Sequence, residues 1–93
     1  MTKIVEFEKK PAYQVLRDTV GGLVQPVPDF CQYKGRKCEV YCDEEGILKG
    51  KDLNYEATRA WREYLEAKHP GMWDPSMAHL VGDIAIVYKG PKK

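Results

Sequence analysis

A single apolar stripe at helical spacing constrains this chain more than any other feature. Leu53, Ala57, Ala60, Trp61, Tyr64 and Leu65 recur at the three- and four-residue steps that place side chains on one face of a helix. Asn54 stands before the stripe as an N-cap, and Glu56 lies in the first turn, where the helix dipole favours negative charge. The run ends ahead of His69, Pro70 and Gly71. A face of this kind must be buried against something. The remaining chain offers one more helical segment and several short alternating ones, so its partner is a small sheet.

Those segments follow in order. Lys3 to Glu8 alternates, with Val5 and Phe7 on one side and Glu6 and Glu8 on the other, and reads as a half-buried strand. Pro11 sits where a first helical residue would, followed by Ala12, Val15, Leu16, Thr19 and Val20 at helical spacing. Gly21 and Gly22 stop that helix. Leu23 to Val27 is a second strand, and Pro26 sends it to a sheet edge because a proline cannot donate to a ladder. Pro28 to Lys37 reads as a solvated, turn-rich loop, and Cys38 to Asp43 as a third strand ended by Glu44, Glu45 and Gly46. After a loop holding Met72, Trp73, Pro75 and Met77, Asp83 to Tyr88 is apolar on both faces and reads as a well-covered strand. Lys89, Gly90, Pro91, Lys92 and Lys93 make a basic tail.

The β-α-β-β-α-β order predicts an α+β fold: a four-stranded sheet with two helices on one face, the ferredoxin-like arrangement. At 93 residues the chain is expected to form a single globular domain over 1–93. On this reading Val5, Phe7, Cys38, Val40 and Cys42 point to the helices. The open face then carries Glu6, Glu8, Glu39, Tyr41 and Asp43, and it is acidic.

Charge and motifs exclude several activities. Fifteen Lys and Arg stand against 14 Asp and Glu, a net charge of +1, and an acidic sheet face repels phosphates, so nucleic acid is not an expected partner. No apolar stretch approaches the roughly 20 residues that span a bilayer. The start MTKIVEFEKK is too charged for a signal peptide, so the expectation is a cytosolic protein with no membrane partner. Cys31, Cys38 and Cys42 are odd in number and spaced C-x6-C-x3-C, which is not the paired spacing of a structural zinc site, so they read as free thiols. Neither G-x-S-x-G nor H-E-x-x-H accompanies His69 or His79. No catalytic residue, metal or cofactor is therefore expected, and the protein is not read as an enzyme.

Three segments resemble a family of small proteins from bacteriophages, large DNA viruses and bacteria, domain of unknown function family 3846. They are VGGLVQPV from Val20 to Val27, EVYCDEEGILKGKDLNYEAT from Glu39 to Thr58, and VGDIAIV from Val81 to Val87. Gly21 and Gly22 resemble its double glycine, Glu44, Glu45 and Gly46 its acid-rich turn, Asn54 the residue opening its helix, and Gly82 and Asp83 its closing pair. Gln25 falls where that family often has Glu. The resemblance implies a viral or mobile-element origin and supplies no catalytic residue. It leads to the expectation of an accessory protein in the host cytoplasm that binds a host protein without catalysis. The contact surface is expected at the loop holding Lys34, Arg36 and Lys37, beside the acidic sheet edge. The alternative is sequestration of a nucleotide-like molecule, with Lys34, Arg36, Lys37, Lys49 and Lys51 as the cations and Tyr41, Tyr13 or Tyr33 as a stacking surface.

Overall fold

The computed structural model describes residues 2–73 and 78–89. Pro75, Met77 and the tail from Gly90 to Lys93 lie outside the described residues. The elements run β1 (Ile4–Phe7), α1 (Tyr13–Val20), β2 (Val24–Pro26), β3 (Gln32–Tyr33), β4 (Arg36–Asp43), α2 (Tyr55–Lys68) and β5 (Ile84–Tyr88). The fold is α+β, with a mixed five-stranded sheet and two helices.

β5 organises the sheet. All five of its residues are buried, and it runs parallel to β1 on one side and antiparallel to β4 on the other. β2 and β3 follow one another along the far side of β4, both antiparallel to it. The order is thus β1-β5-β4-β2, with β1 and β2 at the edges. A ferredoxin-like sheet keeps its first strand in the interior. Here β5 takes that place, because it is apolar on both faces whereas β1 carries Glu6, exposed to water.

The same double-sided apolarity corrects the expected placement of the helices. α1 and α2 cover opposite faces of the sheet. Leu16 and Val20 of α1 pack with Tyr41, Ala85 and Val87, with Phe7 and Val24 at the margin. Ala57, Ala60 and Trp61 of α2 pack over Cys38, Val40, Ile84, Ile86 and Tyr88. Side chains alternate along a strand, so Phe7 belongs under α1 while Cys38 and Val40 belong under α2. The acidic open face expected from the sequence is therefore not formed. Tyr41 is buried beneath α1, and Asp43 is 5% exposed.

Pro26 lies where the sequence places it, on an edge, and the ladder gives the reason. The Val27 N–H donates to the Val40 carbonyl at 2.8 Å and the Glu44 N–H to the Leu23 carbonyl at 2.8 Å. The odd positions of this segment thus face β4 and Pro26 faces outward, where its missing N–H costs no ladder bond.

The segment after it departs from expectation. Val27 bonds to Val40 and the Cys38 N–H donates to the Cys31 carbonyl at 2.9 Å, so residues 28–30 stand opposite Glu39 alone. This bulge, with Asp29 at φ 53, turns Phe30 into the core, where it is 1% exposed. Phe30 stacks on Trp61 with centroids 6.4 Å apart and also meets Tyr64 at 6.2 Å. The Trp61 indole N–H donates to the Asp29 carbonyl at 3.1 Å. A stretch that reads as a solvated loop carries the central aromatic of the α2 side.

Asn54 joins the pieces. Its Oδ1 accepts from the Ala57 N–H at 3.0 Å, capping α2, while its Nδ2 donates to the carbonyls of Lys3 at 3.1 Å and Gly82 at 2.9 Å. It is buried, and each of these bonds replaces one it would make to water.

Candidate functional site

Gly21, Gly22, Asp43, Lys49 and Lys51 come together at the C-terminal end of α1. Gly21 closes α1 in the left-handed conformation at φ 81. Gly22 follows because nothing larger fits: a Cβ there would stand 2.6 Å from both carboxylate oxygens of Asp43 and 2.5 Å from Lys49 Nζ. Lys49 Nζ bonds to Asp43 Oδ2 at 2.9 Å and to the Gly21 carbonyl at 3.2 Å. Lys51 Nζ lies 2.8 Å from the same Oδ2 and donates to the Val20 carbonyl at 2.7 Å. The two ammonium groups therefore satisfy the last carbonyls of α1, where the helix dipole is negative, and neutralise a buried carboxylate. Burial alone would push the Asp43 carboxyl up. The hydrogen bonds from Lys51, Lys49 and the Glu45 N–H outweigh it and hold the group at about 2.

This arrangement fixes the loop between β4 and α2. Within it the Gly46 N–H donates to the Asp43 carbonyl at 3.0 Å, the Lys49 N–H to Glu45 at 2.9 Å, the Gly50 N–H to Ile47 at 3.0 Å, and the Lys51 N–H to Gly46 at 3.1 Å. With both ends of the loop pinned, its tip presents Ile47 and Leu48 to water, 74% and 87% exposed. Beside Ile47 opens a groove of about 170 Å³ along the β2 edge. Its apolar walls are Pro26, Val27, Pro28, Trp61, Leu80 and Val81, and Glu44 lies at one end. Glu44 and Glu45 are exposed and form no ion pair among the described residues.

The cations expected to act together do not meet. Lys34 lies in the β3–β4 turn and Arg36 directly after it, whereas Lys49 and Lys51 hold Asp43 at the opposite end of β4, roughly 23 Å away at ~3.3 Å per residue. Lys34 lies 3.4 Å from Glu6. Arg36 makes two hydrogen bonds to Glu8, at 3.0 and 2.7 Å, and its guanidinium lies 3.9 Å from the Tyr88 ring centroid. These bonds to Glu8 raise the Arg36 pKa. The Tyr88 hydroxyl donates to Glu6, so side chains tie β1 to β5, and Arg36 ties the residue just after β1 to β4. Lys37 is exposed and lies in a different cleft, with Cys31 and Tyr64.

Tyr41 does not offer its ring as a platform. It is buried, its hydroxyl donates to Glu39 at 2.7 Å, and burial together with that bond pushes it up to about 12. Tyr33 is buried as well, while Tyr13 is exposed on α1. Ile47, Leu48 and the groove escape a reading by periodicity, because two apolar residues between glycines match neither a helix nor a strand. The signal available was that isolation itself: an apolar pair in EEGILKGK with no structural use.

Burial pushes the Cys38 thiol up to about 11, and it raises Cys42 as well. Among the described residues, no three or more His, Cys, Asp and Glu side chains stand together so as to hold a metal ion, and no helix is long and apolar enough to cross a membrane. Comparison of the chain with protein-family models, with curated proteins and with solved structures finds no match in any of the three, so the reading of this site rests on its own geometry.

Proposed function

We propose that the protein is a binding module that docks a protein partner through the Ile47–Leu48 loop tip and the adjoining groove, without catalysis. In the viral or mobile-element setting implied by the resemblance, the partner is a host protein. One observation carries this reading: two large aliphatic side chains stand 74% and 87% exposed on a loop pinned by two lysines to a buried aspartate. An apolar pair on a rigid support pays little ordering entropy when it is covered, which is the condition for an anchor residue.

The groove indicates what it takes. At about 170 Å³ it is smaller than the roughly 300 to 1,000 Å³ of sites that enclose a small molecule, and it suits one anchoring apolar side chain. The exposed carboxylate of Glu44 in its lining, with the exposed Glu45 next in sequence, favours a Lys or Arg next to that anchor. The partner segment is thus apolar with a basic neighbour. Backbone pairing on the β2 edge contributes little, since that strand has three residues and its outward position at Pro26 has no donor.

Selection from a random peptide display library tests the reading. The expected winners combine an aliphatic or aromatic residue with an adjacent Lys or Arg, and they are lost against an Ile47→Asp, Leu48→Asp variant. Selection of acidic peptides, or of peptides indifferent to that variant, contradicts it.

A further inference from the structure

Cys31 and Cys38 face one another beside the β3–β4 turn, at the opposite end of β4 from the Ile47–Leu48 loop. The register pairs Tyr33 with Arg36 and Gln32 with Lys37. It is fixed by a two-residue turn at Lys34 and Gly35, both with positive φ, at 53 and 75. One pair beyond, the Cys38 N–H donates to the Cys31 carbonyl at 2.9 Å. The paired ladder stops at Gln32 and Lys37, and this single bond carries the two strands one step further, at a Cα separation of about 5.5 Å if the hydrogen-bonded spacing continues, inside the roughly 4.4 to 6.8 Å range that a disulfide bridges. Their side chains also leave the hairpin on the same face. Both cysteines line one cleft of about 390 Å³, together with Lys37, Lys68, Lys89 and Tyr64.

The two thiols differ in access. Cys31 is exposed and Cys38 is buried, while Cys42 lies in the groove and does not line this cleft. Lys89 leans on Glu39 at 3.6 Å, and Lys68 Nζ lies 5.9 Å from the centroid of the Tyr64 ring. The cleft is large enough for a small molecule, and three ammonium groups on its rim favour an anionic one.

We propose that Cys31 and Cys38 form a reversible dithiol–disulfide couple, oxidised by an anionic low-molecular-weight disulfide that the lysine-rimmed cleft receives. Cys31 releases its proton to water, and its sulfur attacks one sulfur of the oxidant. The oxidant's S–S bond breaks and one thiolate leaves, taking up a proton. Cys38 then loses its proton to solvent and attacks the Cys31 sulfur of the mixed disulfide. The second thiolate departs as the Cys31–Cys38 bond forms. The protein gives up two electrons and two protons, and the oxidant becomes two thiols. Because Cys31 is exposed and Cys38 is buried, the oxidant reaches Cys31 first and the mixed disulfide forms ahead of the internal bond.

Treatment of the full chain with oxidised glutathione, followed by alkylation, intact-mass measurement and peptide mapping, tests the proposal. The expected course is a glutathione adduct on Cys31, then a species lighter by two hydrogens whose Cys31 and Cys38 are cross-linked and whose Cys42 is alkylated. Dithiothreitol should reverse it. Combined Lys37→Gln and Lys68→Gln substitutions should slow the first step several-fold with oxidised glutathione and leave it unchanged with the neutral disulfide of mercaptoethanol. A reaction that stops at the adduct, a bond involving Cys42 or a second copy, or equal slowing with both oxidants would overturn it.

Discussion

The Asp43 carboxylate closes on Gly22 so tightly that a Cβ at that glycine would lie 2.6 Å from either oxygen. Gly22→Ala should therefore destabilise the fold by about 1 to 3 kcal/mol, the range for forcing a methyl group into filled space. The cost has a specific source. In an Asp43→Ala background the same change should be much cheaper, with a coupling of roughly 0.5 to 3 kcal/mol in a double-mutant cycle followed by urea unfolding. Additive costs would place the strain elsewhere.

Acid should undo the same node. The Asp43 pKa falls from an ordinary 3.8 to about 2 on folding, so its contribution is complete above about pH 4 and is lost as pH falls toward 2. The shift corresponds to about 2 kcal/mol. Stability measured between pH 5 and pH 2 should fall more steeply for the wild type than for Asp43→Asn. Parallel curves for the two proteins would contradict the assignment.

On the other side of the sheet, Phe30 rather than Trp61 is the larger single contributor to the core. Phe30 is 1% exposed and Trp61 only half-buried. Phe30→Ala should cost about 3 to 5 kcal/mol, and Trp61→Ala less, as read from thermal or urea unfolding. A Phe30→Ala protein that unfolds like the wild type would show that the bulge after Pro28 does not carry this packing.

How far the sequence discloses this molecule depends on whether a feature is local. α2, its Asn54 cap, the stop at Gly21, the outward-facing Pro26 and the doubly buried β5 are each written in a few neighbouring residues, and each is found. The side taken by α1 is not local. Its signal lay in β5, where Ala85 and Val87 make a second apolar face that had to be covered. Phe30 escaped because the prolines and charges around it mark a turn, and only the pairing of Val27 with Val40 and Cys31 with Cys38 shows the bulge that turns it inward. The roles of Lys49 and Lys51 were invisible for the same reason. A lysine in a loop reads as a free cation until the chain brings a buried aspartate and the end of a helix to it.

If the loop tip is a contact surface and not a structural element, removing its apolar character should spare the fold. Leu48→Asp, at a position 87% exposed, should change unfolding free energy by no more than about 0.5 kcal/mol while weakening partner peptides at least tenfold in calorimetric titration. A variant that loses stability instead would show that Leu48 is packed in solution.

On the proposed function, the groove beside Ile47 receives an apolar side chain with a basic neighbour. The most direct test is a nuclear magnetic resonance titration of the labelled protein with three short peptides sharing one leucine or phenylalanine anchor, flanked by lysine, by glutamate or by serine. The lysine-flanked peptide should bind tightest, with an affinity that falls as salt rises. Its shifts should be confined to Gln25, Ile47, Leu48, Val81 and the Trp61 indole N–H. Equal or tighter binding of the glutamate-flanked peptide, or shifts centred on Lys37 and Lys68, would contradict the account.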